Sequence, residues 1–295
     1  MHSKIQKILW LLCCLTPSVT AVFGQTYDYN KPSQTFKLPY ELNEISGLSL
    51  APNAGELIAV IDELATIFFI SKKDGKITKR ISFADTGDFE GVEFIEGDCF
   101  AVKSNGKIYR IKHIGTPKQH VERLETDLKK VDNIEGLGYD PTSRQLFFAA
   151  KGQRDGEFSK KIYFFRLESL SRQGLILRGG VHLDIKLSDI QNFINNKVKY
   201  NKIRSDYEGS PSRFEFGPSG VAVQPKTGNI FVLSSINKML IIFNRKGEII
   251  EIEKLDKSIH RQPEGICFDE DGTLYISNEI KDSAAPLLHV FKPKK

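Results

Sequence analysis

Cysteine, tryptophan and methionine are scarce in this chain: four, one and two among 295 residues. A disulfide-stapled scaffold is therefore excluded, and a chain this long can bury most of its apolar surface without staples or structural metal. Charge of one sign is scarce too. Lys and Arg total 42 against 37 Asp and Glu, a net charge of +5, which is too small for the electrostatic footprint of a nucleic-acid binder. The longest apolar run, Ile8–Leu15, is well short of the roughly 18 residues that mark a membrane helix. The histidines, at 2, 113, 120, 182, 260 and 289, form no zinc-ligand spacing, and no Cys-x-x-Cys occurs. There is no Gly-x-Ser-x-Gly elbow and no Gly-rich phosphate loop. Composition is otherwise that of a globular protein, 40% hydrophobic and 27% charged.

Residues 1–24 have the layout of an export signal. Lys4 and Lys7 form a basic start, Ile8–Leu15 an apolar stretch, and Pro17 a break. Val22 and Gly24 are small enough for a cleavage site before Gln25. A cleaved signal leaves residues 25–295 as one domain with a net charge of +3, Lys4 and Lys7 being lost; an uncleaved N-terminal membrane anchor is the alternative. The residues before Cys13 and Cys14 suit a lipoprotein site poorly. Cys99 and Cys267 remain, both in strand-like contexts and both read as buried small hydrophobes.

The chain repeats itself. Five segments align: Glu44-Ile-Ser-Gly47-Leu, Phe89-Glu-Gly91-Val-Glu-Phe, Ile134-Glu-Gly136-Leu-Gly-Tyr, Pro218-Ser-Gly220-Val-Ala-Val and Pro263-Glu-Gly265-Ile-Cys-Phe. Their glycines are 44, 45, 84 and 45 residues apart. Each is followed by a turn such as Pro225-Lys-Thr-Gly228 or Asp269-Glu-Asp-Gly272, then by runs rich in β-branched and aromatic residues, such as Asn229–Leu233 and Leu240–Phe243. A unit of about 44 residues with four strands is a propeller blade. The 84-residue interval is close to two units, so a degenerate repeat centred near Gly179 or Gly180 is expected, giving an all-β propeller of six four-stranded antiparallel blades. Five blades plus an insertion over 168–217 is the alternative. The last unit stops short of its outer strand, and Gln34–Leu38 is an orphan strand upstream of the first. The two are expected to pair and close the ring, leaving no long exposed edge.

Taken in order, the five Gly segments, Leu233-Ser-Ser235 and Leu274-Tyr-Ile-Ser-Asn-Glu279 resemble the SdiA-regulated propeller family over roughly residues 40–292. More distantly they are similar to NHL-type and esterase-like phytase propellers. The resemblance implies a bacterial, extracytoplasmic propeller and carries no activity. The chain departs from the pattern at the unrecognisable fourth repeat and at Ser219, which stands where other repeats have Glu.

Glu90, Glu135 and Glu264 share one repeat position. Glu44 lies two residues earlier, so that Ser46 is its strict equivalent. Innermost strands line a propeller's channel, so these carboxylates are expected at one mouth with Ser219, and with Glu279 from the end of a second strand. Asp62 and Glu63 stand at the corresponding end in the first unit. Clustered carboxylates repel one another, and Ca²⁺, with six to eight oxygen ligands, relieves this. Glu90, Glu135 and Glu264 are the candidate metal ligands. The competing reading is that each Glu accepts neighbouring backbone N–H bonds and only fixes blade packing. Asn133, Asn237 and Asn278 are further amides with no assigned place. His260 and Arg261 suggest an anion-binding loop. Lys197–Arg204 with Tyr200 suggests a partner patch, each against a plain solvated loop. The expected function is a periplasmic or secreted, monomeric binding module. It would take a small ligand or an envelope protein at the channel mouth, with peripheral membrane association and without nucleic acid. A Ca²⁺-assisted lactonase, phosphoesterase or esterase and a purely structural scaffold are the alternatives.

Overall fold

The strongest apolar runs become strands buried on both faces. In a computed structural model, which describes residues 26–154, 159–171, 174–195, 197–208, 215–280 and 285–294, β1 spans Gln34–Lys37. The first blade holds β2 (Ile45–Leu50), β3 (Glu56–Ile61), β4 (Leu64–Ser71) and β5 (Ile77–Thr86). The second holds β6 (Phe89–Ile95), β7 (Asp98–Lys103), β8 (Ile108–Lys112) and β9 (His120–Leu124). The third holds β10 (Ile134–Asp140), β11 (Gln145–Ala150), β12 (Ser159–Arg166) and β13 (Gly180–Lys186). The fourth holds β14 (Pro218–Val223), β15 (Ile230–Ser234), β16 (Met239–Phe243) and β17 (Ile249–Lys254). The last holds β18 (Pro263–Phe268), β19 (Leu274–Asn278) and β20 (Leu287–Phe291). Each blade is an antiparallel sheet in chain order, and β1 adds the fourth strand to the last by pairing with β20. The expected closing strand is thus in place. The proposed export signal lies outside the described residues.

The ring has five blades, not six. Five hydrophobic clusters form the core, one between each pair of adjacent blades; Phe89 and Ile58 meet in one, Cys267 and Leu48 in another. The 84-residue interval is one enlarged unit. Gly180 opens β13, the outer strand of the third blade, and a methyl on Gly179 or Gly180 would strike the ring of Phe165 or Phe164. These glycines therefore serve an outer hairpin and not the axis. The excess length goes into α1 (Leu187–Ile194), a 3-10 turn at Val198–Tyr200, and α2 (Asn201–Glu208). Ile190, Ile194, Tyr200 and Ile203 sit on the core between the third and fourth blades. Arithmetic on spacing cannot separate a blade from a helical cover of equal length.

The repeated glycine has a steric cause. A Cβ on Gly47 would lie 2.7 Å from the Gly91 Cα, one on Gly91 2.5 Å from the Leu137 Cβ, and one on Gly136 2.8 Å from the Gly220 Cα. On Gly220 it would lie 2.6 Å from the Glu264 carbonyl oxygen, and on Gly265 2.7 Å from the Leu48 Cβ. Each innermost strand thus presses on the next, around the whole ring. The residue before the glycine is equally constrained, because all five innermost strands slip register there against their neighbours. A bulge re-aims the side chain it carries, and the recurrent Glu-Gly pair is that bulge.

Candidate functional site

Three repeat positions converge at the end of the axis where the innermost strands begin. Three residues before the axial glycine stand Glu44, Asp88, Asn133, Gly217 and Gln262. At the bulge stand Ser46, Glu90, Glu135, Ser219 and Glu264. Just after the second strands stand Asp62, Ser104, Lys151, Ser235 and Glu279. Backbone bonds tie these tiers together: the Phe89 N–H donates to the Asp62 carbonyl (3.0 Å), that of Ile134 to Ser104 (2.8 Å), that of Glu279 to Gln262 (3.0 Å) and that of Ile280 to Asn43 (2.9 Å). Three of these four bonds cross from one blade to the next, so the mouth is built largely from the seams between blades.

Lys151 neutralises one side of the mouth. Its ammonium donates to Glu135 at 2.8 Å. Asn133 donates to the other oxygen of the same carboxylate from a left-handed backbone position, φ 46°. Beneath it the buried Asp132 is gripped by Arg154 at 2.7 and 2.8 Å and by the Lys129 N–H, which fixes the turn that carries Asn133. Burial opposes the charge on Lys151, yet the bond to Glu135 and the charges of Glu264 and Glu90 hold its pKa above the usual lysine range. Glu264 is only 6% exposed. Burial and the charge of Glu279 push its pKa up to about 8, against the opposing pull of Lys151 and a bond from Ser235. Glu279 accepts from Gln262 and is raised to about 7 by burial and by Glu44 and Glu135, again against Lys151.

The adjoining side, at the seam of the first and second blades, is more strongly acidic. Asp62, Asp88 and Glu90 are half-buried and bring one carboxylate oxygen each within 4.8 Å of the others. Burial, then the charges of Glu135, Asp62, Asp88 and Glu264, push Glu90 up to about 9. Burial and a hydrogen bond and charge shared with Asp88 push Asp62 up to about 6. Ser104 donates to Asp88. Such a group either keeps protons near neutral pH or holds a cation.

Of the residues expected at the mouth, Glu90, Glu135, Glu264 and Glu279 do meet there, and Glu44 acts on Asp62 and Glu279 through its charge. Ser219 is fully buried and donates to the Pro263 carbonyl at 2.9 Å, so it fastens the fourth blade to the last. Of the three expected metal ligands, only Glu90 belongs to the close carboxylate triad. Asp88 and Lys151 escaped the sequence reading. Their signal was positional: Asp88 precedes its glycine by the same three residues as Glu44, and Lys151 follows its strand as Asp62 and Glu279 do. Asn278 is buried one residue before Glu279, and both its amide atoms lack a hydrogen-bond partner.

His260 is a core residue and not part of an anion loop. It is fully buried, stacks on Phe291 and donates from Nε2 to the Tyr29 carbonyl at 2.7 Å. Burial lowers its pKa to about 4. In the basic stretch, Lys199 pairs with Glu251 and Glu253, and Lys197 lies 3.4 Å from the Phe193 ring centre, so much of that charge is spent within the fold. Cys99 and Cys267 are free, buried thiols lying in different interblade clusters. No helix among the described residues is long and apolar enough to cross a membrane.

No curated protein matches the chain. Solved structures resemble it at low identity. The PQQ-bound aldose sugar dehydrogenase of Streptomyces coelicolor aligns over 89% of this chain and 98% of its own, at 13% identity and a TM-score of 0.50. The β-propeller domain of Cps50 (Swd1) from Myceliophteria thermophila aligns over 85% and 83%, at 12% identity and 0.47. A chain of the nidogen/laminin complex aligns over 79% and 72%, at 15% and 0.49. At such identities the likeness concerns the fold alone. The family model, in contrast, matches residues 26–158 and 187–281, and the stretch it passes over, 159–186, runs from β12 to β13, the outer two strands of the third blade. By that match over most of its length, the chain belongs to the SdiA-regulated family.

Proposed function

We propose that this propeller is an extracytoplasmic binding module whose acidic mouth holds a Ca²⁺ ion and presents it to a small ligand or an envelope protein. The observation that carries the reading is the uneven charge of the mouth. Lys151 offsets Glu135 and Glu264, whereas on Asp62 and Glu90 burial and neighbouring carboxylates push in the same direction. Asp62, Asp88 and Glu90 are the proposed ligands. A hard, oxygen-seeking cation of flexible coordination suits three carboxylates on two blades, with water completing the shell. Ca²⁺ would release the proton that burial keeps on Glu90 and lock the first blade to the second.

Elemental analysis of the purified protein tests the reading. About one Ca²⁺ per chain, and a lower melting temperature in EDTA, are expected. No ion and no EDTA effect would defeat it. A screen of ester, lactone and phosphoester substrates with and without Ca²⁺ decides between binding and hydrolysis; turnover lost in Glu90→Gln would replace the binding module by a hydrolase, in which the ion serves as Lewis acid. The extracytoplasmic address rests on residues 1–24. N-terminal sequencing of the protein from fractionated cells should find Gln25 first in the periplasm or medium; an intact Met1 in the membrane fraction would favour the anchor.

A further inference from the structure

At the far end of the axis lies a second concavity of about 220 Å³, lined by residues from all five blades. Its floor is set two residues after each axial glycine, by Ser49, Glu93, Gly138, Ala222 and Cys267. Four of these are small. The fifth, Glu93, is the one carboxylic acid at that position. It accepts from the Ser49 hydroxyl at 2.5 Å and from the Tyr139 backbone N–H. The wall is apolar and aromatic, with Phe94, Tyr139, Phe268 and two prolines. Its other ionisable groups are Asp269, Glu270, the Cys267 thiol and the Tyr139 phenol, and no basic side chain lines it. The nearby ammonium of Lys72 is seated over the Tyr275 ring, 5.4 Å from its centre.

We propose that this cup is a binding site for a small organic ammonium with an apolar or aromatic body, its charged nitrogen set on Glu93 and its body against Phe94, Tyr139 and Phe268. The cup is smaller than the roughly 300–1,000 Å³ of drug-sized sites, so the ligand is small. It is also several times the roughly 30 Å³ of one water, so a bare ion would leave most of the apolar wall wet. Aromatic faces attract cations through their quadrupole, and a desolvated carboxyl beside them is completed by a positive partner. Burial pushes Glu93 up to about 8, against the bonds from Ser49 and Tyr139. A vacant cup therefore holds a proton on Glu93 at neutral pH, and a bound ammonium displaces it. The inference does not rest on the Ca²⁺ site at the other mouth.

Calorimetry with 2-phenylethylammonium tests the proposal, with 2-phenylethanol as a neutral probe of the same shape and EDTA present throughout. The ammonium should bind saturably at one site per chain, at least tenfold more tightly than the alcohol. Buffers of different ionisation enthalpy should report close to one proton released at pH 7. Glu93→Gln should erase the preference for the cation. Tyr139→Leu, which leaves the floor intact, should weaken the ammonium by several fold. No saturable binding, equal affinity for the alcohol, or an undiminished preference in a folded Glu93→Gln protein would each overturn it.

Discussion

Replacing Gly91 by Ala puts the packing of the axis to a quantitative test. The added methyl would lie 2.5 Å from the Leu137 Cβ and 2.6 Å from its backbone nitrogen. Comfortable contact is about 3.5–4.0 Å, so a whole innermost strand must retreat by roughly 1 Å. Overpacking of this kind costs ~1–3 kcal/mol, and contact with backbone places it at the upper end. Ala also lowers the entropy of the unfolded chain, which returns ~0.4–1 kcal/mol. The net loss is ~2 kcal/mol. At ~2–4 °C per kcal/mol for proteins somewhat smaller than this one, the melting temperature should fall by ~4–8 °C. Gly55→Ala is the control. Its Cβ would meet only the Asn53 Oδ1, at 3.6 Å. The entropy term then acts alone, and the melting temperature should hold or rise by ~1–4 °C. Thermal denaturation of both variants decides the matter. Equal shifts, or an unchanged Gly91→Ala protein, would refute the account of the glycine ring.

Three further outcomes follow from the same geometry. Deleting residues 26–38 removes β1 and the buried Phe36 and Leu38, opens the ring, and should speed limited proteolysis at least tenfold; Phe36→Ala alone should cost ~3 kcal/mol in denaturant unfolding. Because the folded pKa of His260, about 4, lies below its usual 6.5, the unfolded chain binds the extra proton between those values; its contribution is full above pH 6.5 and is lost as pH falls towards 4. Melting curves from pH 7 to 4 should therefore lose less stability in His260→Phe than in the parent. For Glu90 the sign reverses: its folded pKa, about 9, exceeds the usual 4.5, so the folded state binds more protons across that window and stability falls as pH rises. In EDTA, Glu90→Gln should melt several degrees higher than the parent at pH 8, and the two should converge near pH 4.5.

Much of the ring was legible in the sequence because a backbone approach that excludes Cβ leaves a glycine in every unit, and the bulge beside it leaves a glutamate in most. The closing strand was legible because the last unit ends one strand short. The number of blades was not, since the hairpin β12–β13 and the helices α1 and α2 fill a length that suits a second unit. Ile190, Ile194, Tyr200 and Ile203 are too few in a polar run to announce a helical cover. At the site, recurrence revealed Glu90, Glu135 and Glu264 but hid what makes the mouth uneven. Lys151 and Glu93 each occur once, at positions other blades fill with different chemistry, Asp88 shares its acidic position with Glu44 alone, and a repeat pattern is blind to such exceptions. His260 misled because a histidine beside Arg261 and Gln262 in a largely polar stretch reads as solvated. Its burial comes from Tyr29 and Phe291, at the two ends of the chain.

Titration of the chelator-stripped protein with Ca²⁺ in a calorimeter tests the central claim most directly. One saturable site is predicted, accompanied by proton release at pH 7 and a higher melting temperature. Asp62→Asn and Glu90→Gln should weaken it at least tenfold, and Glu135→Gln, whose carboxylate is committed to Lys151, much less. No heat and no change in melting temperature at millimolar Ca²⁺ would contradict the account, as would a titration that all three substitutions leave untouched.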